Sequence, residues 1–283
     1  MSSKVAIVTG ANGGLGSVIT ESLVNQGFEV VMACRDLEKA TPIWKKICDK
    51  TGSNIHLIQL DLSSISSVLQ FLNEIKSRFK YIDLLINNAG VMPSKAKICD
   101  YGVEYSMGVH YISPYWITMK ISKLMPIGSR VVNVSSLMYR YGKISHQMLE
   151  PVKSKSFSRF KAYSDSKRAL LYMGIDLSET LEKQGITINV CEPGIVDTPI
   201  LNMGNRLIDF LANLLFRPFI RTPQKGAETI LYLALDESVS GRSGGFYSNK
   251  KEIRLPKKYY LGNERYLLRK LTHQILKNNQ IEL

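Results

Sequence analysis

Short apolar runs alternate with amphipathic stretches along most of the chain. Each run is rich in β-branched residues and has the length of a buried parallel strand. The predicted strands cover residues 4–8, 28–33, 55–60, 82–86, 130–134 and 186–190. Between them the apolar positions recur with helical spacing, as in Val18, Ile19 and Leu23 before the stop at Gly27. The alternation predicts βαβ units, and hence an α/β fold with one mostly parallel central sheet and helices on both faces.

The first predicted strand runs into a glycine-rich turn, Thr9-Gly10-Ala11-Asn12-Gly13-Gly14-Leu15-Gly16. A helix follows, so backbone N–H groups and the positive helix end point at the place where a pyrophosphate would bind. Gly10, Gly14 and Gly16 allow the tight turn and the close approach of phosphate, and Asn12 and Leu15 belong to the same loop. An ordinary strand-to-helix connection is the alternative. The position in the first βα unit favours a dinucleotide site, and hence a single-domain Rossmann-type doubly wound sandwich.

The end of the second predicted strand, Cys34-Arg35-Asp36, bears on the choice of cofactor. In dinucleotide folds a carboxylate at this point binds the 2′-hydroxyl of NAD, whereas an Arg accommodates the 2′-phosphate of NADP. Arg35 therefore favours NADP(H) over NAD(H). Asp36 competes, but it lies one residue later and is expected to begin the following turn or helix. A solvated loop position is the alternative for Arg35.

The other candidate residues also follow the carboxyl ends of predicted strands, where an open α/β sheet binds its ligands. Each of these short motifs is also a common turn composition, and only their place in the series favours a site. They are Asp61-Leu62, Asn87-Asn88-Ala89-Gly90, Ser135-Ser136 and Cys191-Glu192-Pro193-Gly194.

Tyr163 and Lys167 are spaced four residues apart, just before a predicted helix at 168–181. On a helix this spacing puts both side chains on one face. The Lys charge then favours the phenolate over the phenol, whose ordinary pKa is ~10. A phenol tuned in this way exchanges a proton with a reacting oxygen. The spacing also arises by chance on many helices, so the pair needs a hydride carrier and a partner for the substrate oxygen.

The motifs, taken in this order, resemble the short-chain dehydrogenase/reductase superfamily over essentially the whole chain. They are Thr9-Gly10-x3-Gly14-x-Gly16, Asn87-Asn88-Ala89-Gly90, Ser136, Tyr163-x3-Lys167 and Pro193-Gly194. Within the superfamily, three further stretches look most like the retinol-dehydrogenase-like branch. They are Ala33-Cys34-Arg35-Asp36, Asn133-Val134-Ser135-Ser136-Leu137 and Thr222-Pro223-Gln224-x-Gly226-Ala227.

The resemblance implies an oxidoreductase that transfers a hydride between a nicotinamide and a carbonyl or alcohol substrate. Tyr163 would be the general acid or base, Lys167 would lower its pKa and hold the nicotinamide ribose, and Ser136, with Ser135 as the rival, would bind the substrate oxygen. The remaining implied contacts concern the cofactor. Asp61 and Leu62 would frame the adenine, Asn88, Ala89 and Gly90 would line the adenosine side, and Pro193, Gly194, Val196 and Thr198 would close over the nicotinamide.

One position departs from the family pattern. Aligning 104–109 with the usual approach puts His110 where the family usually carries an Asn, whose backbone carbonyl holds a water that links the Lys to solvent. Either the imidazole relays protons itself, with an ordinary pKa near ~6.5, or the substitution is silent because the contact uses the backbone. The silent interpretation is favoured. A catalytically weak or inactive dinucleotide-binding sensor or interaction protein remains the alternative function.

Composition adds limits. The 283 residues contain no linker or repeat, so one domain (1–283) is predicted, with a cofactor half at 1–135, a catalytic and substrate-lid half at 136–249 and a basic extension at 250–283. Four scattered cysteines without C-x-x-C suit reduced thiols in a cytoplasm. No signal peptide and no apolar run near the ~20 residues that span a bilayer are expected. His56, His146 and His273 show no metal spacing.

Two stretches raise the question of partners. Apolar residues at 207–215 recur with helical spacing, which predicts a lid over a lipophilic substrate, a core-facing helix or a membrane-surface helix. Much of the net charge of +13 lies in the tail, where a strand or loop precedes an amphipathic helix. Peripheral membrane contact through 201–221 or the tail is therefore an alternative, whereas no nucleic-acid-binding module appears. Helices near 105–123 and 163–183 are those through which such proteins form homodimers or homotetramers.

Overall fold

The computed structural model describes residues 3–52, 55–150, 156–196 and 220–283. Its strands are β1 (Val5–Thr9), β2 (Glu29–Cys34), β3 (Ile55–Gln59), β4 (Leu84–Asn87), β5 (Arg130–Val134), β6 (Thr187–Glu192), β7 (Ile195–Val196), β8 (Ile220–Arg221), β9 (Phe246–Ser248) and β10 (Lys251–Glu252). Its helices are α1 (Gly14–Asn25), α2 (Leu37–Thr51), α3 (Ile65–Arg78), α4 (Tyr105–Met107), α5 (Ser113–Ile121), α6 (Arg159–Glu182), α7 (Pro223–Leu235), α8 (Lys258–Leu261) and α9 (Asn263–Asn278). A π-helical turn, Gly108–Ile112, joins α4 to α5.

An eight-stranded sheet forms the centre, in the order β10-β9-β6-β5-β4-β1-β2-β3. All neighbours pair in parallel except β9 and β10, which are antiparallel. The chain moves outward in one direction from β1 to β3 and in the other direction from β4 onward. The point between β1 and β4 is therefore the topological switch, where α/β sheets open a crevice at the carboxyl edge. The predicted single-domain α/β architecture is confirmed, whereas its subdivision at 135 and 249 stays a prediction.

Helices cover both faces of the sheet because successive strand side chains point to opposite sides. Ile7 and Val31 pack with apolar residues of α3, α5 and α6. Val8 and Met32 pack on the other face with residues of α1, α2 and α7. The six predicted core strands are all present, with ends that shift by one or two residues.

Helix α6 begins earlier than the sequence predicted. The apolar pattern placed it at 168–181, after Tyr163 and Lys167, and the family resemblance implied a helix near 163–183. The helix starts at Arg159 and holds both residues within its body. Ser158 caps it, and its side chain accepts a hydrogen bond from the Lys161 N–H at 3.3 Å. The early turns were missed because Ser and Asp residues of low helix propensity fill 164–166, and an apolar pattern appears only later.

Close packing fixes α6 on the sheet. A Cβ atom at Gly174 would lie 2.2 Å from Val190 Cγ2 of β6, so any larger residue would push the helix away. At the other end of the chain, α9 buries Leu268, Leu271 and Ile275 in the same core layer. The predicted amphipathic helix of the tail is therefore confirmed.

The tail also makes polar contacts with α6. The Glu264 carboxylate accepts hydrogen bonds from Arg168 Nη1 at 2.9 Å and from the Tyr172 hydroxyl at 2.7 Å. Arg265 Nε donates to the Asp176 carboxylate at 2.6 Å. These bonds attach the basic extension to the helix that carries Tyr163.

Three sequence expectations concern other parts of the chain. Thr198, the apolar 207–215 stretch and nearly all of the 201–221 segment lie outside the described residues. Within the described ranges, no helix has the length and apolar character needed to cross a bilayer.

Candidate active site

The glycine turn is built so that only glycine fits at two of its positions. Gly10 has φ +63°, and a Cβ there would lie 2.9 Å from Ala89 Cα. A Cβ at Gly16 would lie 2.3 Å from the Gly10 carbonyl oxygen. Helix α1 starts behind this turn, and its N-cap residue Gly13 offers no side-chain cap. The first N–H groups of α1 are therefore left to an anionic ligand, as a pyrophosphate site requires.

Asn88 and Thr9 join the glycine turn to the loop after β4. Asn88 Nδ2 donates to the carbonyl oxygens of Thr9 and Gly10, at 2.9 and 3.3 Å. In return, Thr9 Oγ1 accepts from the backbone N–H groups of Asn88 and Ala89, at 3.0 and 3.1 Å. These four hydrogen bonds therefore hold the two loops together at the switch point between β1 and β4. Thr9 was quoted in the sequence motif, but its role as a brace was not predicted.

The end of β2 supplies positive charge next to these two loops. Arg35 is exposed, and its Nη1 donates to the Tyr105 hydroxyl at 2.6 Å. Asp36 caps α2 by accepting from the Lys39 N–H at 3.1 Å, which confirms that it begins the next helix. The Lys39 ammonium lies 2.8 Å from the same carboxylate. Two cations thus stand where the adenosine ribose of a dinucleotide would lie.

A cleft of about 330 Å³ unites these groups. It brings together the predicted cofactor residues Gly10, Asn12, Gly14, Leu15, Gly16, Arg35, Asp61, Leu62, Asn88, Ala89 and Gly90. It also includes Lys39, Tyr105 and Val109, which sequence reasoning missed. Lys39 follows Arg35 at helical spacing and was therefore detectable, whereas Tyr105 arrives from a distant helix without any local signal. The uncapped helix end and the two cations fit a phosphorylated dinucleotide.

The predicted catalytic residues meet at the carboxyl end of β5. Ser136 lies close enough to the Tyr163 hydroxyl to lower the pKa of the phenol. The Lys167 ammonium lies 5.6 Å from the centre of the Tyr163 ring and donates to the Val134 carbonyl at 2.9 Å. Ser135 is buried, and its hydroxyl donates to the Lys167 carbonyl at 3.1 Å. Ser136, rather than its rival Ser135, therefore faces the phenol.

Burial controls the ionisation of this group. Desolvation raises the pKa of the Tyr163 phenol above its ordinary value, and the nearby Ser136 hydroxyl lowers it by less. This direction is opposite to the one that the Tyr–Lys spacing predicted. Burial also lowers the pKa of the Lys167 ammonium to about 7. Both shifts follow from moving a charged form out of water.

His110 lies in the π-helical turn and is buried, with 1 % of its surface exposed. Its Nε2 accepts a hydrogen bond from the Val91 N–H at 2.8 Å, and its Nδ1 lies 2.8 Å from Ser166 Oγ. The turn departs from α-helical geometry four residues before Pro114, which has no N–H to donate to the His110 carbonyl. Burial, with a smaller contribution from the neighbouring Lys167 charge, holds the pKa of His110 well below its usual range.

The loop after β6 was predicted to close over the nicotinamide. Gly194 has φ +81°, and its N–H donates to the Glu192 carboxylate at 2.7 Å. Arg221 Nη1 donates to the Pro193 carbonyl at 3.3 Å. Val196 belongs to β7, which pairs in parallel with β8. None of these residues lines the 330 Å³ cleft, so the structure does not join them to the adenosine side.

A larger cleft of about 420 Å³ lies beside the start of α6, and its lining includes Glu104, Lys143, Lys161 and Asp165. It contains none of the predicted site residues. Within the described ranges, no group of three or more His, Cys, Asp or Glu residues is arranged to hold a metal ion.

The order of motifs and the fold agree with comparisons to known proteins. The family model described as short chain dehydrogenase matches residues 4–206. Retinol dehydrogenase 14 of Mus musculus is 35% identical over 276 residues, covering 91% of this chain and 81% of its own length. The chain belongs to the short-chain dehydrogenase/reductase family. It falls in the retinol-dehydrogenase-like branch, since retinol dehydrogenase 12 of Homo sapiens is also 33% identical over 251 residues, with 88% and 78% covered.

Solved structures extend the likeness. The angucycline C-6 ketoreductase LanV, with bound NADP, has a TM-score of 0.67 at 25% identity, covering 86% of this chain and 92% of that one. Members of this short-chain dehydrogenase/reductase family are oxidoreductases that bind a nicotinamide dinucleotide. Family membership therefore agrees with the phosphate-binding character of the cleft.

We predict that Lys167→Met stabilises the fold in a pH-dependent way. The buried ammonium has a pKa of about 7, below its ordinary 10.5, so its burial cost is complete below about pH 7 and shrinks as the pH rises. Urea unfolding should show a gain of roughly 1–3 kcal/mol near pH 6 and a smaller gain near pH 9. Lys183→Met, at the exposed end of the same helix, is the control. A pH-independent change would contradict the buried charge.

Proposed function

We propose that this protein is an NADP(H)-dependent oxidoreductase that interconverts a lipophilic carbonyl compound and its alcohol. The observation that carries the proposal is the proximity of Ser136, Tyr163 and Lys167 at the carboxyl edge of the sheet. A substrate oxygen bound beside both groups would receive a proton from the Tyr163 phenol and a hydrogen bond from the Ser136 hydroxyl. A chance Tyr–Lys spacing on a helix would not bring a third polar group to the phenol.

A bound nicotinamide dinucleotide would supply the hydride, while the chain supplies position and protons. The glycine turn and the N-terminus of α1 would hold the pyrophosphate, and Arg35 with Lys39 would hold the 2′-phosphate. Asp61, Leu62 and Asn88 would line the adenosine, in keeping with their place in the cleft. The loop from Pro193 to Val196, with Thr198 beyond it, would close over the nicotinamide.

The raised pKa of Tyr163 bears on the protonation state in which the phenol would act. A phenol that keeps its proton at neutral pH is ready to donate it to a carbonyl oxygen as negative charge develops there. Ser136 would donate a second hydrogen bond to the same oxygen. Oxidation needs the phenolate and would therefore speed up as the pH rises. At neutral pH the phenol is therefore in the protonated form that reduction would use.

The substrate class is inferred from relatives. Two relatives in the same branch are named retinol dehydrogenases, and a structural neighbour is named a ketoreductase and holds NADP. These names support a lipophilic substrate with a reducible carbonyl or an oxidisable hydroxyl. The free thiols of Cys34, Cys48, Cys99 and Cys191 fit a reducing compartment, so we propose a cytoplasmic site of action. A homodimer or homotetramer stays a prediction.

The protein has one surface that suits peripheral contact with a membrane, and we include that contact in the proposal. We call this surface the apolar tip, and it consists of Leu137, Tyr141, Tyr260, Leu261 and Tyr266. Leu261 is 79% exposed and Tyr141 is 77% exposed. The two segments that form the tip touch each other, since the rings of Tyr139 and Tyr259 pack at 5.5 Å. The tip therefore lies beside the segment that follows Ser136.

The positive charge of the segment that contains Tyr260, Leu261 and Tyr266 supports an anionic bilayer as the partner. Residues 250–283 contain nine Lys and Arg against three Asp and Glu. Lys and Arg are attracted to acidic headgroups while Tyr and Leu enter the interface. A second copy of the chain would bring the same positive charge to this surface, so the tip does not suit self-association.

The catalytic proposal predicts that Tyr163→Phe lowers carbonyl-dependent NADPH oxidation by about 10²- to 10⁴-fold, because the proton donor is lost. The measurement is NADPH absorbance across a panel of aldehydes and ketones. Tyr141→Phe, at a largely exposed tyrosine, is the matched control and should keep full activity. A wild-type protein that binds NADPH tightly but turns over nothing in a broad carbonyl and alcohol panel would support the sensor alternative instead.

The cofactor proposal predicts that Arg35→Ala weakens NADPH binding by roughly 10- to 100-fold, since a charged hydrogen bond to the 2′-phosphate is lost. NADH affinity should change by less than about 2-fold in the same titration, because NADH has no such phosphate. Arg254→Ala removes an equal charge from an exposed position outside the cleft and controls for net charge. Equal weakening of both cofactors would refute the assignment.

For the tip, co-sedimentation with phosphatidylcholine vesicles, with and without phosphatidylserine, is the test. Binding should need the anionic lipid, and Leu261→Asp should reduce it by about 5-fold or more. Ile127→Asp is the matched control, because Ile127 is 88% exposed but lies beside Gly185 at the opposite, amino edge of the sheet. Preference for an acidic protein or a nucleic acid over the vesicles, or equal loss in both variants, would disprove lipid docking.

A further inference from the structure

We infer that the His110 side chain is a positioning residue: a neutral imidazole that ties the cofactor-side loop after β4 to the helix that carries Tyr163. It takes no part in proton relay. The tautomer in this inference stands on geometry alone, and its catalytic consequence rests on the function proposed above. The two parts are therefore tested separately.

Hydrogen-bond donors and acceptors around the ring assign its protons. The Val91 N–H can only donate, so Nε2, at 2.8 Å, must carry a lone pair. In a neutral imidazole the proton then lies on Nδ1, which donates to Ser166 Oγ at 2.8 Å. Ser166 in turn donates its own proton to the Tyr163 carbonyl at 2.7 Å. In this series of three hydrogen bonds every donor has one acceptor, so neither ring nitrogen has room for a second proton.

This arrangement excludes a relay through the imidazole. A relay must gain a proton at one nitrogen and release it from the other. Here Nε2 accepts from the Val91 N–H, which does not release its proton. Nδ1 donates to the Ser166 hydroxyl, whose own proton is already donated to the Tyr163 carbonyl. The ring is buried, and Lys167 is the cationic group that opposes its protonation. Of the two interpretations left open by the sequence, the proton relay is therefore set aside.

The substitution is nevertheless not silent, because the two ends of the ring hold two different parts of the site. Val91 lines the cleft and directly follows the loop of Asn88 to Gly90. Ser166 and Tyr163 belong to α6, and the edge of the imidazole packs on the Tyr163 ring with centroids 5.4 Å apart at 88°. His110 thereby couples the position of the cofactor-side loop to the position of the Tyr163 backbone and to the orientation of its ring.

Nitrogen–proton correlation NMR on isotope-labelled protein tests the tautomer without any need for activity. The chain has only four histidines, and the His110→Gln variant identifies the relevant signal by its loss. We expect the neutral tautomer with hydrogen on Nδ1, unchanged between about pH 5 and pH 8. A ring protonated on Nε2, or one that titrates within this range, would overturn the inference whether or not the protein proves to be an enzyme.

Two substitutions of His110 each keep one of its two hydrogen bonds, so their kinetic effects can be compared. An Asn amide matches the place of Nδ1 and keeps the bond to Ser166, whereas a Gln amide reaches the place of Nε2 and keeps the bond to Val91. His110→Asn should raise KM for NADPH more than it lowers kcat, and His110→Gln should do the reverse. His110→Ala, which loses both ends, should lower kcat/KM by about 10- to 100-fold. His273→Asn, at an exposed histidine of α9, is the control.

The pH profile distinguishes positioning from relay. All active variants should keep the wild-type profile of kcat, because no ionisation of His110 contributes to it. Ser166→Ala removes the hydrogen bonds that Ser166 makes with His110 Nδ1 and with the Tyr163 carbonyl. Its kinetic effect should resemble that of His110→Gln, and the two effects should not add in the double variant. Loss of a pH step in His110→Gln, or additive effects of the two substitutions, would contradict the inference. If the wild type shows no turnover, NADPH affinity of the same variants and the NMR result decide it.

Discussion

The distance between helix α6 and the sheet determines where the proposed catalytic groups lie. Gly174 allows the helix to approach β6 so closely that a methyl group there would meet Val190 at 2.2 Å. At this separation Lys167 reaches the Val134 carbonyl at 2.9 Å, and Ser135 reaches the Lys167 carbonyl at 3.1 Å. Tight interiors do not adjust to added volume without moving whole elements. The contact between helix and sheet is therefore part of the site.

The two ends of the proposed site differ in how far their charged groups are exposed to water. At the adenosine end Arg35 and Lys39 are exposed, so their charges remain solvated and ready for a phosphate. At the catalytic end Lys167 is buried and Tyr163 is largely removed from water, so burial shifts the pKa of each. A wet end suits affinity for an anion, whereas a dry end strengthens hydrogen bonds to a developing oxyanion. His110 lies between them and bonds to both.

Much of the fold was readable from the sequence because each strand is a compact apolar run and each turn has its own chemistry. The glycine turn, Arg35 and the motif after β4 line one cleft, as predicted, because each follows the carboxyl end of a strand. The start of α6 was missed, since Ser158 and the polar residues behind it carry little helical pattern. The direction of the Tyr163 pKa was also missed, because burial is a property of the assembled core. The bonds of His110 and Tyr105 join distant segments, and no local pattern predicts them.

The docking of α9 has a consequence for the order of events during synthesis. Arg168 follows Lys167 directly in α6 and is itself buried, and among the described residues its carboxylate partner is Glu264. Glu264 belongs to α9, which leaves the ribosome after every other described helix and strand. Until then the nascent chain holds a guanidinium without its counter-ion beside the proposed active-site lysine. This ion pair beside Lys167 can therefore form only after translation has passed α9, whereas the glycine turn is synthesised well before it.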